Sequence, residues 1–135
     1  MTGETDLDAL LSGLSPELQA LPYGFALIPL GQALPDGLAP FALVREAEGM
    51  TVIATLDELA ASGIAAISQW ARITMLVHSA LEAVGMTAAM ATALAQAGIP
   101  ANVVAAIHHD HLFVPWDRRA DAVAALLALG SSPAR

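Results

Sequence analysis

The stretch of this chain with the densest potential chemistry is IHHDHLFV, residues 107–114. His108, His109, Asp110 and His111 stand in a row between two apolar runs. Imidazole nitrogens and a carboxylate can hold a divalent metal, so a metal site is one reading. The flanking runs, NVVAAIH and HLFVP, read as strands, and a polar tip between strands is what a hairpin requires. With His109 and Asp110 as the turn residues, His108 and His111 would face each other across the strands. Asp tolerates the left-handed backbone of a tight turn. The row lacks the fixed spacing of a zinc motif. The expectation is therefore a structural or ligand-adjacent hairpin tip without a tightly bound metal, and the metal-binding module is the alternative.

The second candidate is AVGMTAA, residues 83–89. Here a strand ends, Gly85 permits an unusual turn, and Thr87 has the side chain of a helix N-cap. The first turn of a helix presents N–H groups with no intrahelical acceptor, and the helix dipole adds to their attraction for an anion. Ala88 to Met90 contains no acid that would already fill this role, and small side chains allow close approach. Val84, Gly85, Met86, Thr87 and Ala88 are thus the candidate anion loop. The plain alternative is an ordinary strand-to-helix connection.

No catalytic arrangement is evident. The chain has no Gly-rich phosphate loop, no G-x-S-x-G elbow and no H-E-x-x-H. Ser79 follows His78, but neighbours in a strand point to opposite faces, so they form no dyad. His78 reads as an edge residue at the end of its strand, or one bonded within the ligand pocket. Glu46 and Glu48 flank a turn, Asp117 with Arg118 and Arg119 reads as a helix start with solvated charges, and Trp70 and Trp116 read as covers for core edges or a subunit contact. The protein is expected not to be an enzyme and to need no cofactor.

The positioning elements can be read from pattern. TDLDALLSGL places Leu7, Leu10, Leu11 and Leu14 on one helical face, with Thr5 and Asp8 as a capping pair. YGFALIPL (23–30) reads as a buried strand and LPDGLAP (34–40) as turns. A hairpin follows, with strands at 41–47 and 50–54 and Glu48-Gly49 at its turn. Thr55 and Glu58 form a capping box for a helix that Gly63 stops. ARITMLVHS (71–79) is a strand, with Ile73, Met75 and Val77 on one face and Arg72, Thr74 and His78 on the other. A helix from Thr87 to Gly98, the hairpin 102–115, and a helix from Asp117 to Gly130 complete the chain. The later half reads β-α-β-β-α, most of a split βαβ pattern, and the earlier half is the same with a loop in place of its first helix. The fold class is α+β, ferredoxin-like βαββαβ, in two units at 1–66 and 67–130 with a tail at 131–135.

Composition narrows the function. Five Lys or Arg against thirteen Asp or Glu give a net charge of -8. Such a chain repels phosphate backbones and anionic membrane surfaces, so neither nucleic acid nor membrane is an expected partner. There are no cysteines, which removes disulfides, thiolate ligands and Cys nucleophiles. The N-terminus lacks the pattern of a signal peptide and no apolar run reaches the ~18 residues of a span, so a soluble cytoplasmic protein is expected. The helix TAAMATALAQA has no charge on any face, which suggests cover by a second subunit in a homodimer or larger assembly.

VHSALEAVGMTAA joined to NVVAAIHHDHLFVP, together with EAEGMTVIA earlier in the chain, resembles the ACT domain, in a small bacterial family with two ACT-like halves. The resemblance covers about residues 5–130. It implies two ACT-like units packed together and a regulatory, non-catalytic protein that binds a small amino acid or related metabolite. It also implies that the 84–88 loop is the ligand loop and that Asn102 and Val103, at the start of the next strand, complete the pocket. A pure oligomerisation domain is the remaining alternative.

Overall fold

The computed structural model describes residues 6–7, 13–76 and 84–130. The expected Thr5–Asp8 capping pair, Leu10, Leu11, Val77, His78, Ser79 and the tail 131–135 lie outside the described residues. The element order is β1 (Pro16–Leu18), β2 (Tyr23–Pro29), β3 (Ala42–Glu46), β4 (Gly49–Thr55), α1 (Leu56–Ala61), β5 (Ile67–Met75), α2 (Met86–Gln96), β6 (Asn102–Ala105), β7 (Asp110–Pro115), a short 3-10 turn (Trp116–Arg118) and α3 (Arg119–Gly130). Two compact units result, one spanning Ala20–Trp70, the other made by the residues on either side of it. The division thus falls at 70/71, where the pattern suggested 66/67, and β1 groups with the later half.

In the 20–70 unit the strands lie in the order β3-β4-β2, followed by the first part of β5. All pairings are antiparallel; Tyr23 to Pro29 faces Thr55 to Gly49 without a break, and β3 continues the hairpin with Arg45 opposite Met50. Phe25 pairs with Ile67 but Tyr23 with Trp70, so β5 carries one extra residue there. Ser68 beside the irregularity has φ 60°, a left-handed conformation that a bulge uses to fit a residue with no partner. Alternation along the strands points Ala26, Ile28, Val52 and Ala54 to one face, where Leu59 of α1 closes over them. Leu34 and Leu38 of the 30–41 connection join this core, so the loop supplies the apolar cover that a helix would otherwise give. The helix start is as the residue types dictate: the Thr55 side chain accepts from the Glu58 N–H and the Glu58 side chain accepts from the Thr55 N–H.

In the other unit the order is β1-β5-β7-β6. β1 pairs with the end of β5, Pro16 opposite Met75, and β6 and β7 form a hairpin with Asn102 opposite Phe113. Ala71, Ile73 and Met75 of β5 and Leu112 and Val114 of β7 present one apolar face. Met86, Met90 and Leu94 of α2 and Ala122 and Leu126 of α3 pack onto it. The positions i, i+4 and i+8 of α2 make one stripe, which fixes the rotation of the helix and sends Thr87, Ala88, Ala91, Thr92, Ala95 and Gln96 outward. Ile99 also joins the core, and its N–H returns to the Leu94 carbonyl at 2.9 Å; Gly98, just past the C-cap Ala97, takes φ 73° to turn the chain out of α2. α3 begins only at Arg119; Asp117 sits in the preceding 3-10 turn and caps nothing through its side chain. No helix among the described residues is long and apolar enough to cross a membrane.

Candidate functional site

The N-cap of α2 lies two residues before the expected one. Gly85, with φ 92° and ψ -13°, is the N-cap residue, and no side chain caps the helix. Thr87 is therefore inside the first turn and exposed, not at the cap as its type suggested. Burial of Met86, only 2% exposed, decides the register: the helix must begin there to sink that side chain into the core. A left-handed residue is then needed just before it, and glycine adopts this at least cost. The Gly85 carbonyl accepts the first helical bond, from Ala89 N–H at 2.9 Å. The N–H groups of Met86, Thr87 and Ala88 have no intrahelical acceptor, and the first turn holds no acid.

A cavity of about 520 Å³ runs from this point along α2. Gly85, Ala88, Ala89, Thr92, Ala93 and Gln96 line one side; Leu7 and Leu129 close the others. A Cβ at position 85 would meet Leu7 Cδ2 at 3.1 Å, a tight contact that Leu7 would have to yield to, while the φ of 92° is what calls for glycine. The wall is mostly Cβ methyls, with the Thr92 hydroxyl and the Gln96 carboxamide as its polar side chains. Val84 is 83% exposed and does not line the cavity.

Asn102 and Val103 are not brought to this loop. An eleven-residue helix is about 16 Å long. The Ile99–Leu94 bond holds the chain at the far end of α2 before β6 begins. Asn102 is exposed there, and Val103 packs on the core edge. The strand start that the resemblance assigned to the pocket does not line this cavity.

The hairpin tip also differs in register from expectation. Asp110 pairs with Ala105 and His111 with Val104, and the Ala106 N–H reaches the His109 carbonyl at 3.1 Å. Ile107 and His108 are therefore the outermost residues, while His109 and Asp110 lie in the arm. His108 and His111 do not face each other. Among the described residues no three His, Asp or Glu side chains come close enough together to hold a metal ion. His111 is instead bound into a side-chain chain across the sheet: its Nδ1 lies 3.1 Å from the Thr74 hydroxyl, which accepts from Gln19 Nε2 at 3.2 Å. Burial first, then Arg72 and His109 nearby, lowers the His111 pKa from 6.5 to about 4. A neutral ring with a bare Nδ1 suits the Thr74 O–H as its donor. Burial raises the pKa of Asp110, with His109 opposing.

Arg118 has a role that its sequence neighbours do not announce. Its guanidinium donates to the Ala97 carbonyl at 3.1 Å and the Gly98 carbonyl at 3.4 Å, and pairs with Asp121 at 3.3 Å. It thus satisfies carbonyls at the end of α2, where a cation also opposes the helix dipole. Arg119 stacks on Trp116 at 3.9 Å and donates to its carbonyl at 2.6 Å. Trp70 meets Phe25 edge-on at 5.7 Å. Glu46 accepts from the Thr51 hydroxyl across its own hairpin.

The chain thus holds a β-α-β-β-α unit and a shortened copy of the same pattern. ACT domain models match residues 2–72 and 59–128, each more than half of the chain, and the chain belongs to the ACT-domain family. Among solved structures it is similar to a Vibrio cholerae protein of unknown function, described as a possible transport protein, with 41% identity, 92% of this chain and 95% of that chain covered, and a TM-score of 0.81. A protein from Agrobacterium tumefaciens is 17% identical over 87% of this chain and 89% of its own, with a TM-score of 0.73. The regulatory subunit of aspartate kinase from Thermus flavus is 16% identical over 87% and 96%, with a TM-score of 0.57. The last two likenesses are of fold alone. A search of curated proteins returned no match. The fold is α+β, with two ACT domains like those of the aspartate kinase regulatory subunit.

Proposed function

We propose that the protein is a non-catalytic regulatory module that binds a free amino acid in the cavity along α2, with the ligand carboxylate on the N–H groups of Met86, Thr87 and Ala88. The observation that carries this reading is the helix start itself: it has neither a capping side chain nor an acid in its first turn, and it opens on a cavity of about 520 Å³. Oriented N–H donors and the helix dipole favour a carboxylate there. The methyl-lined wall along Ala88, Ala89 and Ala93 favours an apolar ligand side chain, and Thr92 and Gln96 can take a polar tip. Membership of the ACT-domain family and the likeness in fold to a kinase regulatory subunit support a regulatory role. Gly85 lines the cavity, and Val84, Asn102 and Val103, which do not, are left out of the site.

A thermal-shift panel tests it. Free amino acids with aliphatic side chains should raise the melting temperature, and the corresponding amino acid amides, which lack the carboxylate, should not. Equal stabilisation by acid and amide would remove the helix start from the account.

A further inference from the structure

We propose that the 20–70 unit carries a second ligand site, one that takes a small organic carboxylate and grips it with Arg45. A cavity of about 250 Å³ lies where β2 ends and the β3–β4 hairpin turns. The turn after β2, Pro29 to Gln32, forms one wall; Arg45, Glu46, Gly49 and Met50 form the other. This place does not involve α2, and the proposal stands or falls apart from the one above.

Charge is the first argument. Four arginines are described, in a chain of net charge -8. Arg118 is committed to Asp121 and the end of α2, Arg119 to Trp116, and Arg72 lies near His111. Arg45 is exposed, lines a cavity, and its guanidinium makes no hydrogen bond or ion pair among the described residues. Glu46 lines the same cavity, but no ion pair joins it to Arg45 among the described residues, and its carboxylate accepts from the Thr51 hydroxyl.

Shape is the second argument. Arg45 is the cross-strand partner of Met50, so the guanidinium has an apolar surface beside it. A guanidinium next to a methionine and a leucine suits an anion with a short hydrocarbon body, and its fork matches a carboxylate bidentately. Two glycines keep the walls bare. A Cβ at Gly31, φ 87°, would meet nothing within 4 Å, so the backbone there is open to an approaching ligand. Gly49, φ 148°, has no room for a side chain, which would run into the Ile28 carbonyl. The exposed Gln32 carboxamide adds a neutral donor on the same wall.

The test is an amide-resolved NMR titration of the full chain with propionate and with succinate, against sodium chloride at matched ionic strength. Both acids should shift the amides of Gly31, Gln32, Gly49 and Met50, and chloride should not. Arg45→Met should weaken binding at least tenfold with the rest of the spectrum unchanged, and Arg45→Lys should retain part of it. Ala88→Asp, at the start of α2, should leave these shifts intact. The proposal is overturned by an absence of shifts at 50-fold the protein concentration and above, by shifts that survive Arg45→Met, or by equal shifts with chloride.

Discussion

Replacing His111 by asparagine should change how stability depends on pH, and the sign follows from the site. In the folded protein the ring titrates near 4, because burial, Arg72 and His109 all oppose its charge. In the unfolded chain it titrates near its ordinary 6.5. Between these values the unfolded state binds the proton and the folded state does not, so stability is present above pH 6.5 and is lost as pH falls toward 4. The full shift would correspond to about 3 kcal/mol. The ring is only partly buried, and solvent screens its repulsion from Arg72, which brings the expected loss to about 1 kcal/mol. Asparagine places an oxygen near Nδ1 and can keep the bond to Thr74 without a titrating ring. Urea unfolding of both proteins at steps from pH 7.5 to 4 gives the difference curve. Carboxylates common to both, Asp110 among them, largely cancel in it. The wild-type protein should lose about 1 kcal/mol relative to His111→Asn over that range. A flat difference curve, or an NMR titration of His111 centred near 6.5, would refute the reasoning.

Further outcomes follow from other residues. Thr55→Ala removes the hydroxyl half of the capping box and should cost about 1 kcal/mol in denaturant unfolding; an unchanged midpoint would show that the hydroxyl contributes nothing to the α1 start. A strong chelator should leave the melting temperature unchanged, since the hairpin tip does not gather metal ligands; a fall that zinc restores would contradict this. Sedimentation should find a homodimer or larger species, because the outward face of α2 carries no charge; a monomer at high micromolar concentration would count against it.

Local chemistry was the most legible part of the sequence. Thr55 and Glu58 lie three residues apart and bond each other, so the helix they start could be read without tertiary knowledge. The two hairpins and the loop in place of a helix were equally readable from alternation and turn residues. Two registers were not. The α2 start was assigned by the preference of threonine for N-caps, but Met86 needs to be buried and moves the start to Gly85. At the hairpin tip the polar residues suggested a turn at His109 and Asp110. Burial of Leu112 and Val114 on the helix-facing side and the pairing of Val104 with His111 instead leave apolar Ile107 at the tip, 72% exposed. Contacts between distant positions gave no sequence signal at all. Arg118 reaches carbonyls about twenty residues away, and Gln19, Thr74 and His111 meet only because β1, β5 and β7 are neighbours.

The central claim is that the start of α2 receives the carboxylate of an amino acid, and calorimetric titration of wild-type and Ala88→Asp protein tests it most directly. Ala88 is exposed in the first turn and lines the cavity. An aspartate there sits favourably in the helix dipole, so the variant should fold, yet it places a carboxylate where the ligand's should go. At a ligand concentration of about 100 times the dissociation constant, binding stabilises the wild type by roughly 2.7 kcal/mol, so a melt of the same samples reports the same event. The account predicts that at least one amino acid binds the wild type and that Ala88→Asp abolishes this binding while its melting temperature without ligand is maintained. An amino acid that binds both proteins alike, or heat of binding from none of the twenty, would contradict it.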